Sequence, residues 1–264
     1  MTNRKAVFIT GAASGIGLAA AKRFAKEGWF VGLADINAAG LKAALDTIGR
    51  DKGATYLLDV RDREAWTDAL SIFTAASGGR LDALLNNAGI AAAGELDALS
   101  EADIDRQLDI NLKGVVNGAR AAIPYLKKTP GSQLVNVASC AGLYGAPGMS
   151  IYAATKFAVR GLSQSLEGEL APHGVGVKCI MPWFVETPIL SAAAPGSNET
   201  LSQNLRSAGV TVYTVEDSTN VIWNAIHSRE REHIVGGKGK QLAFMTRYFP
   251  GLVRRQVLRP RKAS

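Results

Sequence analysis

A tyrosine and a lysine four residues apart, Tyr152 and Lys156, are well suited to proton transfer. On a helix this spacing places both side chains on one face, one turn apart. A free phenol titrates near pH ~10, but a neighbouring ammonium group favours the phenolate and lowers that pKa. Ser139 lies 13 residues earlier, after an apolar run, and could share a substrate oxygen with the phenol. The pattern predicts acid–base chemistry on a hydroxyl or carbonyl group; the alternative is a chance match on an exposed helix face.

A second segment is typical of a turn that binds phosphate. Residues 10–17 read Thr-Gly-Ala-Ala-Ser-Gly-Ile-Gly and follow the first apolar run. Glycines let the backbone approach a pyrophosphate, and a helix that begins near Ser14 directs free N–H groups at that anion. The spacing differs from the common G-x-G-x-x-G. Alone, it fits an ordinary strand-to-helix turn equally well.

Asp35 ends the second apolar run, 18 residues after Gly17. An acid there can accept hydrogen bonds from both ribose hydroxyls of an adenosine, and its charge repels a 2′-phosphate. Neither Ser14 nor Ile36 is basic. The sequence therefore predicts NAD rather than NADP as cofactor. The alternative for Asp35 alone is an acidic residue that starts a loop.

The elements that must position these residues alternate between strands and helices. Strand-length apolar runs occupy 6–10, 30–34, 55–58, 83–86, 133–137 and 176–180, and helical spacing occurs at 16–27, 38–48 and 63–75. This alternation predicts a doubly wound, Rossmann-type parallel sheet of about seven strands with helices on both faces. Ligands bind at the carboxyl ends of such strands, where Ser139 would lie. We expect one catalytic domain over 1–264, with an irregular substrate lid at 188–212.

Composition excludes several classes of protein. The chain has 264 residues, 47% of them hydrophobic and 20% charged, which excludes disordered and fibrous chains. Two cysteines cannot form a disulfide framework, and no apolar run reaches the ~18 residues of a membrane span. We therefore expect a cytoplasmic protein. His173, His227 and His233 lack metal-ligand spacing, so no metal site is expected.

Basic residues are concentrated in a C-terminal extension, 238–264, and the segment after Gly236-Gly237 looks irregular. The net charge is +7, yet 245–264 alone holds six Lys or Arg and no acid, which argues against a nucleic-acid footprint across the domain. Phe249, Leu252, Val253 and Val257 would share one helical arc. Docking on a partner subunit or over the pocket is favoured for this arc, and contact with an anionic membrane surface is the alternative.

In this order and spacing, the motifs resemble those of the short-chain dehydrogenase/reductase family in its single-domain form. The matching elements span residues 5 to about 188 and comprise the glycine turn, Asp59-Val60, Asn86-Asn87-Ala88-Gly89, Asn111, Ser139 and Tyr152-x-x-x-Lys156.

The resemblance implies a catalytic role for four residues. Tyr152 would be the general acid/base, and Ser139 would hold and polarise the substrate oxygen. Lys156 would lower the pKa of the tyrosine and bind the nicotinamide ribose. Asn111 would hold a water molecule through its backbone carbonyl; a mid-helix polar residue that kinks the helix is a compatible interpretation.

The resemblance also implies a set of cofactor contacts. Asp59-Val60 would contact the adenine, 86–89 would line the cleft and brace the sheet, and Thr187 would bind the carboxamide. The implied cofactor-binding residues are Gly11, Ser14, Gly15, Ile16, Gly17, Asp35, Asp59, Val60, Asn86, Asn87, Ala88, Gly89, Tyr152, Lys156, Pro182, Val185 and Thr187.

The sequence departs from the family pattern at Pro182-Trp183, where the family usually has Pro-Gly. Trp183 could wall off the substrate pocket or pack outward under 188–212. The residues expected to form a largely apolar pocket are Leu143, Tyr144, Trp183, Phe184, Ile189 and Leu190.

The expected function is NAD-dependent interconversion of a secondary alcohol and a ketone on a bulky apolar, aromatic or steroid- or lipid-like substrate. An NAD-linked epimerase or dehydratase is one alternative. A non-catalytic nucleotide-sensing or membrane-associated scaffold is another, although it would not need all four catalytic residues. The resemblance further implies a homodimer or homotetramer that pairs through helices at 101–127 and 151–171.

Overall fold

The computed structural model describes residues 4–191 and 200–258. Within these residues seven strands form one sheet in the order β3-β2-β1-β4-β5-β6-β7, and every neighbouring pair is parallel. The strands are β1 (Ala6–Thr10), β2 (Phe30–Asp35), β3 (Gly53–Leu57), β4 (Ala83–Asn86), β5 (Gln133–Val137), β6 (Gly176–Pro182) and β7 (Glu232–Val235). The order reverses between β1 and β4, and such a switch point opens a ligand crevice at the carboxyl ends of the strands. The predicted doubly wound, Rossmann-type sheet is confirmed.

Helices cover both faces of the sheet. They are α1 (Gly15–Lys26), α2 (Ala38–Ile48), α3 (Arg63–Ala76), α4 (Glu101–Leu108), α5 (Gly114–Leu126), α6 (Ser150–Leu170), α7 (Pro188–Ser191), α8 (Leu201–Ser207), α9 (Val215–Ala225), α10 (Gly237–Tyr248) and α11 (Pro250–Val257). A π-helical segment, Asp109–Lys113, joins α4 to α5. Side-chain oxygens of Asn37, Asp62 and Ser100 accept backbone N–H groups at the starts of α2, α3 and α4, which satisfies donors that a helix leaves free.

The core lies in two layers because successive side chains of a strand point to opposite faces. In β1, Val7 and Ile9 face a layer that includes Phe24 of α1 and Leu41 of α2. Phe8 faces the other layer, which includes side chains of α3, α5 and α6. All five residues of β1 are buried, as expected for the central strand of a sheet covered on both sides.

The structure differs from the sequence-based predictions in three segments. The helix predicted over 101–127 contains the π-helical segment. The irregular lid predicted at 188–212 contains α7 and α8, while 192–199 lie outside the described residues. The segment after Gly236-Gly237, predicted to be irregular apart from one short helix, forms α10 and α11, and α11 ends at Val257. Among the residues described, no helix is long and apolar enough to cross a membrane.

Candidate active site

The glycine turn connects β1 to α1 and is shaped for close backbone approach. Gly11 and Gly15 have φ values of 65° and 53°, the left-handed region that glycine adopts without strain. A Cβ atom at Gly17 would collide with the carbonyl of Gly11. The turn therefore leaves a backbone-lined space at the start of α1, where free N–H groups favour an anion. This space fits the pyrophosphate of a dinucleotide.

Asn87, after β4, braces this turn from the neighbouring strand. Its side-chain amide donates to the carbonyl of Thr10 at 2.9 Å. The backbone N–H groups of Asn87 and Ala88 donate to the hydroxyl of Thr10 at 3.0 and 3.1 Å. The sequence predicted Asn87 and Ala88 as cofactor-binding residues but assigned no role to the Thr10 side chain. Thr10 links the two loops that border the crevice.

Asp35 ends β2 and reaches the glycine turn. One carboxylate oxygen accepts the N–H of Ala13 at 3.1 Å, and the other accepts the N–H of Asn37 at 3.0 Å. These two hydrogen bonds orient a half-buried carboxylate beside the turn, while the neighbouring Ile36 side chain is 69% exposed. The carboxylate is thus available to a diol at the outer end of the crevice.

Asp59 and Val60 follow β3 at the same edge of the sheet. Asp59 pairs with Arg61, whose Nη2 lies 2.6 Å from its Oδ2. This hydrogen bond lowers the pKa of the Asp59 carboxyl group. The carbonyl of Val60 accepts hydrogen bonds from Trp66 and from Asn117, at 3.0 and 3.1 Å. The segment is therefore held from both sides. Arg61, the partner of the Asp59 carboxylate, was not among the residues predicted from the sequence.

Asn86 lies within β4 and is buried in a chain of amide and hydroxyl groups. Its Nδ2 donates to Oδ1 of Asn136 on β5 at 2.9 Å, and Nδ2 of Asn136 donates to the hydroxyl of Ser163 on α6 at 3.0 Å. Asn136 and Ser163 were not identified from the sequence. The chain connects the two central strands to the helix that carries Tyr152.

Ser139, Tyr152 and Lys156 come together at the carboxyl end of β5. Ser139 follows the strand and its Oγ accepts the N–H of Ala141 at 3.1 Å. Tyr152 and Lys156 lie one turn apart on α6, with the lysine Nζ 5.5 Å from the centre of the phenol ring. The ammonium group donates to the carbonyl of Val137 at 3.1 Å.

Burial dominates the titration of these groups. It raises the pKa of Tyr152, and a hydrogen bond with Ser139 lowers that pKa by a smaller amount. Burial also lowers the pKa of Lys156 to about 8. The sequence predicted a lowered pKa for Tyr152 because of Lys156. In the structure the pKa is raised, since the loss of water around the phenol outweighs its neighbours.

Asn111 lies inside the π-helical segment and is fully buried. Its Oδ1 accepts the N–H of Ile90 and its Nδ2 donates to the carbonyl of Ile90, both at 2.8 Å. Nδ2 also lies 3.4 Å from the hydroxyl of Thr155 on α6. The side chain thus ties the loop after β4 to α6. The sequence suggested a kink at this residue; the structure has a π-helical turn there, a feature often found at functional sites.

Trp183 follows β6 and packs towards the C-terminal part of the chain. Its ring joins an apolar cluster with Ile234 of β7 and with Leu242 and Ala243 of α10. The ring centre lies 5.2 Å from that of Phe184. Trp183 therefore connects the loop after β6 to α10.

The other predicted pocket residues are not equally accessible. Leu143 and Leu190 are buried, with 9% and 6% of their surfaces exposed, whereas Ile189 is 41% exposed. Tyr144 and Phe184 are partly buried. Ile189 is thus the most exposed of the six predicted pocket residues, whereas Tyr144, Trp183 and Phe184 are intermediate.

Thr187 lies directly against the glycine turn. A Cβ atom at Gly15 would be 3.4 Å from its methyl group, and its hydroxyl donates to the carbonyl of Val185 at 3.2 Å. A cavity of about 540 Å³ opens beside this contact, between α1, α7 and α9. Pro182 is the last residue of β6 and pairs with Val235. The lining of the cavity includes Thr187 but none of the residues around Tyr152.

Comparison with known proteins shows the family of the chain. Residues 5–198 match the family described as short chain dehydrogenase. The chain belongs to this family. It is 37% identical over 202 residues to the 3-oxoacyl-(acyl-carrier-protein) reductase FabG of Thermotoga maritima, an alignment that covers 74% of this chain and 80% of the relative. It is 38% identical over 189 residues to a cyclopentanol dehydrogenase of Comamonas testosteroni, covering 71% of this chain and 75% of that protein.

A solved structure supports the same assignment. A short chain dehydrogenase/reductase from Burkholderia phymatum, crystallised in complex with NAD, superposes with a TM-score of 0.83 at 27% sequence identity. The superposition covers 99% of this chain and 98% of that chain. The predicted family and fold are therefore confirmed. The chain is a short-chain dehydrogenase, and members of this oxidoreductase family bind a nicotinamide cofactor.

The predicted site residues of this dehydrogenase form two groups along the crevice. The glycine turn, Asp35, Asn87 and Thr187 meet around β1 and β2, whereas Ser139 and the residues of α6 meet beyond β4. In residues 4–191 and 200–258, no group of three or more His, Cys, Asp or Glu side chains is placed to hold a metal ion.

Proposed function

We propose that this short-chain dehydrogenase is an NAD-dependent enzyme that interconverts a secondary alcohol and a ketone on a bulky apolar substrate. The observation that carries the proposal is the convergence of Ser139, Tyr152 and Lys156 at the carboxyl end of β5, beside the strand switch point. The relation to a cyclopentanol dehydrogenase and the likeness to a structure in complex with NAD support it.

The residues present fit a dinucleotide. The glycine turn would hold the pyrophosphate, Asp35 the adenosine ribose, and Asp59-Val60 the adenine. Lys156 would hold the second ribose and Thr187 the carboxamide. When bound, the nicotinamide supplies the hydride acceptor or donor for the reaction.

The chain itself would supply orientation and the proton. With a raised pKa, the Tyr152 phenol is protonated at neutral pH, so it can donate a proton to a carbonyl oxygen held beside it. In the reverse direction the same oxygen must accept the proton of a substrate hydroxyl, and a neighbouring cation favours this state. The Ser139 side chain lowers the pKa of the Tyr152 phenol, although less than burial raises it. A substrate oxygen between these two hydroxyls would be held at the point of proton transfer.

Tyr144, Trp183 and Phe184 support an apolar substrate. They follow β5 and β6 at the end of the crevice where Ser139 lies, and Trp183 is part of an apolar cluster. Such a wall favours ring-containing or long-chain alcohols and ketones over charged compounds.

Replacement of Tyr152 tests the proposal. Tyr152→Phe keeps the ring but removes the proton-transfer oxygen, so kcat with a panel of apolar secondary alcohols should fall by about 100-fold or more. The assay is the appearance of NADH absorbance, and binding of NADH, followed by its fluorescence, should change little. Tyr125→Phe, on α5, is the matched control and should keep its activity. If Tyr152→Phe retained more than a few per cent of the rate, the role assigned to Tyr152 would be wrong.

We also propose a homodimer formed through α4, α5 and α6. Leu108, Val116 and Phe157 are 38–43% exposed on these helices, and apolar side chains of this size are favoured in a subunit contact. Light scattering at micromolar concentration should give at least twice the monomer mass. A monomer under these conditions would contradict the assembly without affecting the proposed chemistry.

A further inference from the structure

The outer surface of the two C-terminal helices is unusually apolar. We define the α10–α11 face as Phe244, Tyr248, Phe249, Leu252 and Leu258. Each of these side chains is between 46% and 65% exposed. Large apolar side chains scattered singly on a surface are normal, whereas a contiguous group of them indicates an interaction site.

The aromatic members of this face lie next to one another. The ring of Phe244 is 4.9 Å from that of Tyr248 and 6.0 Å from that of Phe249, measured between centres. Pro250 begins α11 immediately afterwards, which brings Leu252 close in sequence to the aromatic group. Val253, on the same helix, is only 6% exposed. Its burial fixes α11 on the protein while the apolar side chains face outward.

The charge of this region has one sign. Residues 237–258 contain five basic residues and no acid, and 259–264 add three more basic residues in the sequence. The rest of the chain has 22 Lys and Arg against 23 Asp and Glu. The Arg247 guanidinium lies 5.7 Å from the centre of the Tyr248 ring. Cations therefore border the apolar side chains directly.

We propose that the α10–α11 face binds the surface of an anionic lipid bilayer. Aromatic and aliphatic side chains can enter the boundary between headgroups and acyl chains, while arginines beside them meet lipid phosphates. A second copy of the chain is a poorer partner for this face. A two-fold contact would bring like charges together, and 237–258 contain no acid to pair with them.

The membrane-facing helix also borders the candidate active site. On its inner side, Leu242 and Ala243 pack in the cluster of Trp183, and a Cβ atom at Gly239 would be 2.7 Å from the sulfur of Cys140. These contacts come from α10, whereas docking of the tail was predicted through the arc that begins at Phe249, and the α10–α11 face stays exposed. If the proposed function holds, an apolar substrate dissolved in the bilayer would be close to the wall that contains Trp183.

The test is cosedimentation of the full chain with vesicles. Wild type should bind vesicles of phosphatidylcholine and phosphatidylserine at least tenfold better than phosphatidylcholine alone, and added salt should weaken that binding. Leu252→Glu places a like charge among lipid phosphates at a position that is 53% exposed, so it should lower binding at least tenfold. Ile72→Glu, on α3 and 62% exposed, is the matched control and should bind like wild type.

Two outcomes would overturn the proposal. One is equal binding of wild type and Leu252→Glu. The other is a fall in oligomer mass for Leu252→Glu on light scattering, which would assign the face to a contact between copies. Circular dichroism of both variants checks the fold. Because the vesicle assay needs no turnover, its failure is distinguishable from failure of the proposed enzymatic activity.

Discussion

Replacement of Asp35 by asparagine should change the choice of cofactor. Asp35→Asn removes the negative charge but keeps the size of the side chain and one acceptor oxygen. In wild type the two carboxylate oxygens accept the N–H groups of Ala13 and Asn37. The amide can retain only one of these hydrogen bonds, which should lower the free energy of unfolding by about 1 kcal/mol. The fold should therefore survive, and the change in electrostatics can be measured.

The size of the effect follows from charge and exposure. Two unit charges ~4 Å apart repel by about 4 kcal/mol at an effective dielectric constant of 20. Asp35 is only half-buried, so solvent should reduce the repulsion of a 2′-phosphate to about 2 kcal/mol. This energy corresponds to a change of about 30-fold in the ratio of kcat/KM with NADP to kcat/KM with NAD. Adding Ile36→Arg should raise the ratio further, because this side chain is 69% exposed and an arginine there needs no burial.

The assay is the rate of nicotinamide reduction with each cofactor for wild type and variants. Asp68→Asn makes the same charge change at an exposed position on α3, far along the chain from the glycine turn, and should leave the ratio unchanged. Equal use of NAD and NADP by wild type would refute the reasoning. So would an Asp35→Asn ratio no different from that of Asp68→Asn.

Three further predictions concern titration, the loop after β6 and the core. Because burial lowers the pKa of Lys156 from 10.5 to about 8, the folded chain binds fewer protons than the unfolded chain between these pH values. The free energy of unfolding of wild type should therefore rise with pH relative to that of Lys156→Met, by up to about 3 kcal/mol in urea titrations. Glu186 accepts hydrogen bonds from Ser202 and Arg206 of α8 at 2.8 and 2.7 Å. Glu186→Gln should therefore speed amide hydrogen exchange in α8 while changing the free energy of unfolding by less than ~1 kcal/mol. Asn136→Ala removes the buried partner of Asn86 and should lower the free energy of unfolding by about 2 kcal/mol or more.

Each of these has an outcome that contradicts it. A constant difference between wild type and Lys156→Met across the pH range would mean that Lys156 titrates normally in the folded chain. Unchanged exchange in α8 would show that Glu186 does not restrain this helix; α9 serves as the internal reference. For the core, Asn220→Ala at an exposed position is the control. An equal loss of unfolding free energy in both variants would show that the burial of Asn136 does not cause the effect.

Continuous apolar runs explain why several strands could be bounded from the sequence. The predicted limits of β1, β4 and β5 coincide with the observed ones, since each strand is buried on both faces and is preceded by a polar residue. The π-helical segment could not be predicted, because Asp109–Lys113 keep helical spacing and only the hydrogen bonds differ. Helix α10 was missed because Gly237 and Gly239 disfavour a helix, whereas packing against Cys140 and Ile234 requires a residue without a side chain.

Motif spacing located the candidate catalytic residues, but not what surrounds them. The structure places Ser139 just after β5 and carries Tyr152 and Lys156 one turn apart on α6. The hydroxyl of Thr10 and the amide of Asn136 act through partners far away in the chain, and no local pattern marks such partners. The direction of the Tyr152 pKa shift depends on how much water the folded chain removes, which the spacing to Lys156 does not reveal.

The brace between Thr10 and Asn87 has a consequence for the order of synthesis. The two residues are 77 positions apart, and β4 lies on the opposite side of β1 from β2. A ribosome therefore releases β1, β2 and β3 before the residue that completes the glycine turn has been translated. The nascent chain can complete this nucleotide pocket only after β4 has emerged and paired with β1. Up to that moment, the turn at residues 10–17 has its hydrogen bonds to β2 but lacks those that Asn87 and Ala88 provide in the finished protein.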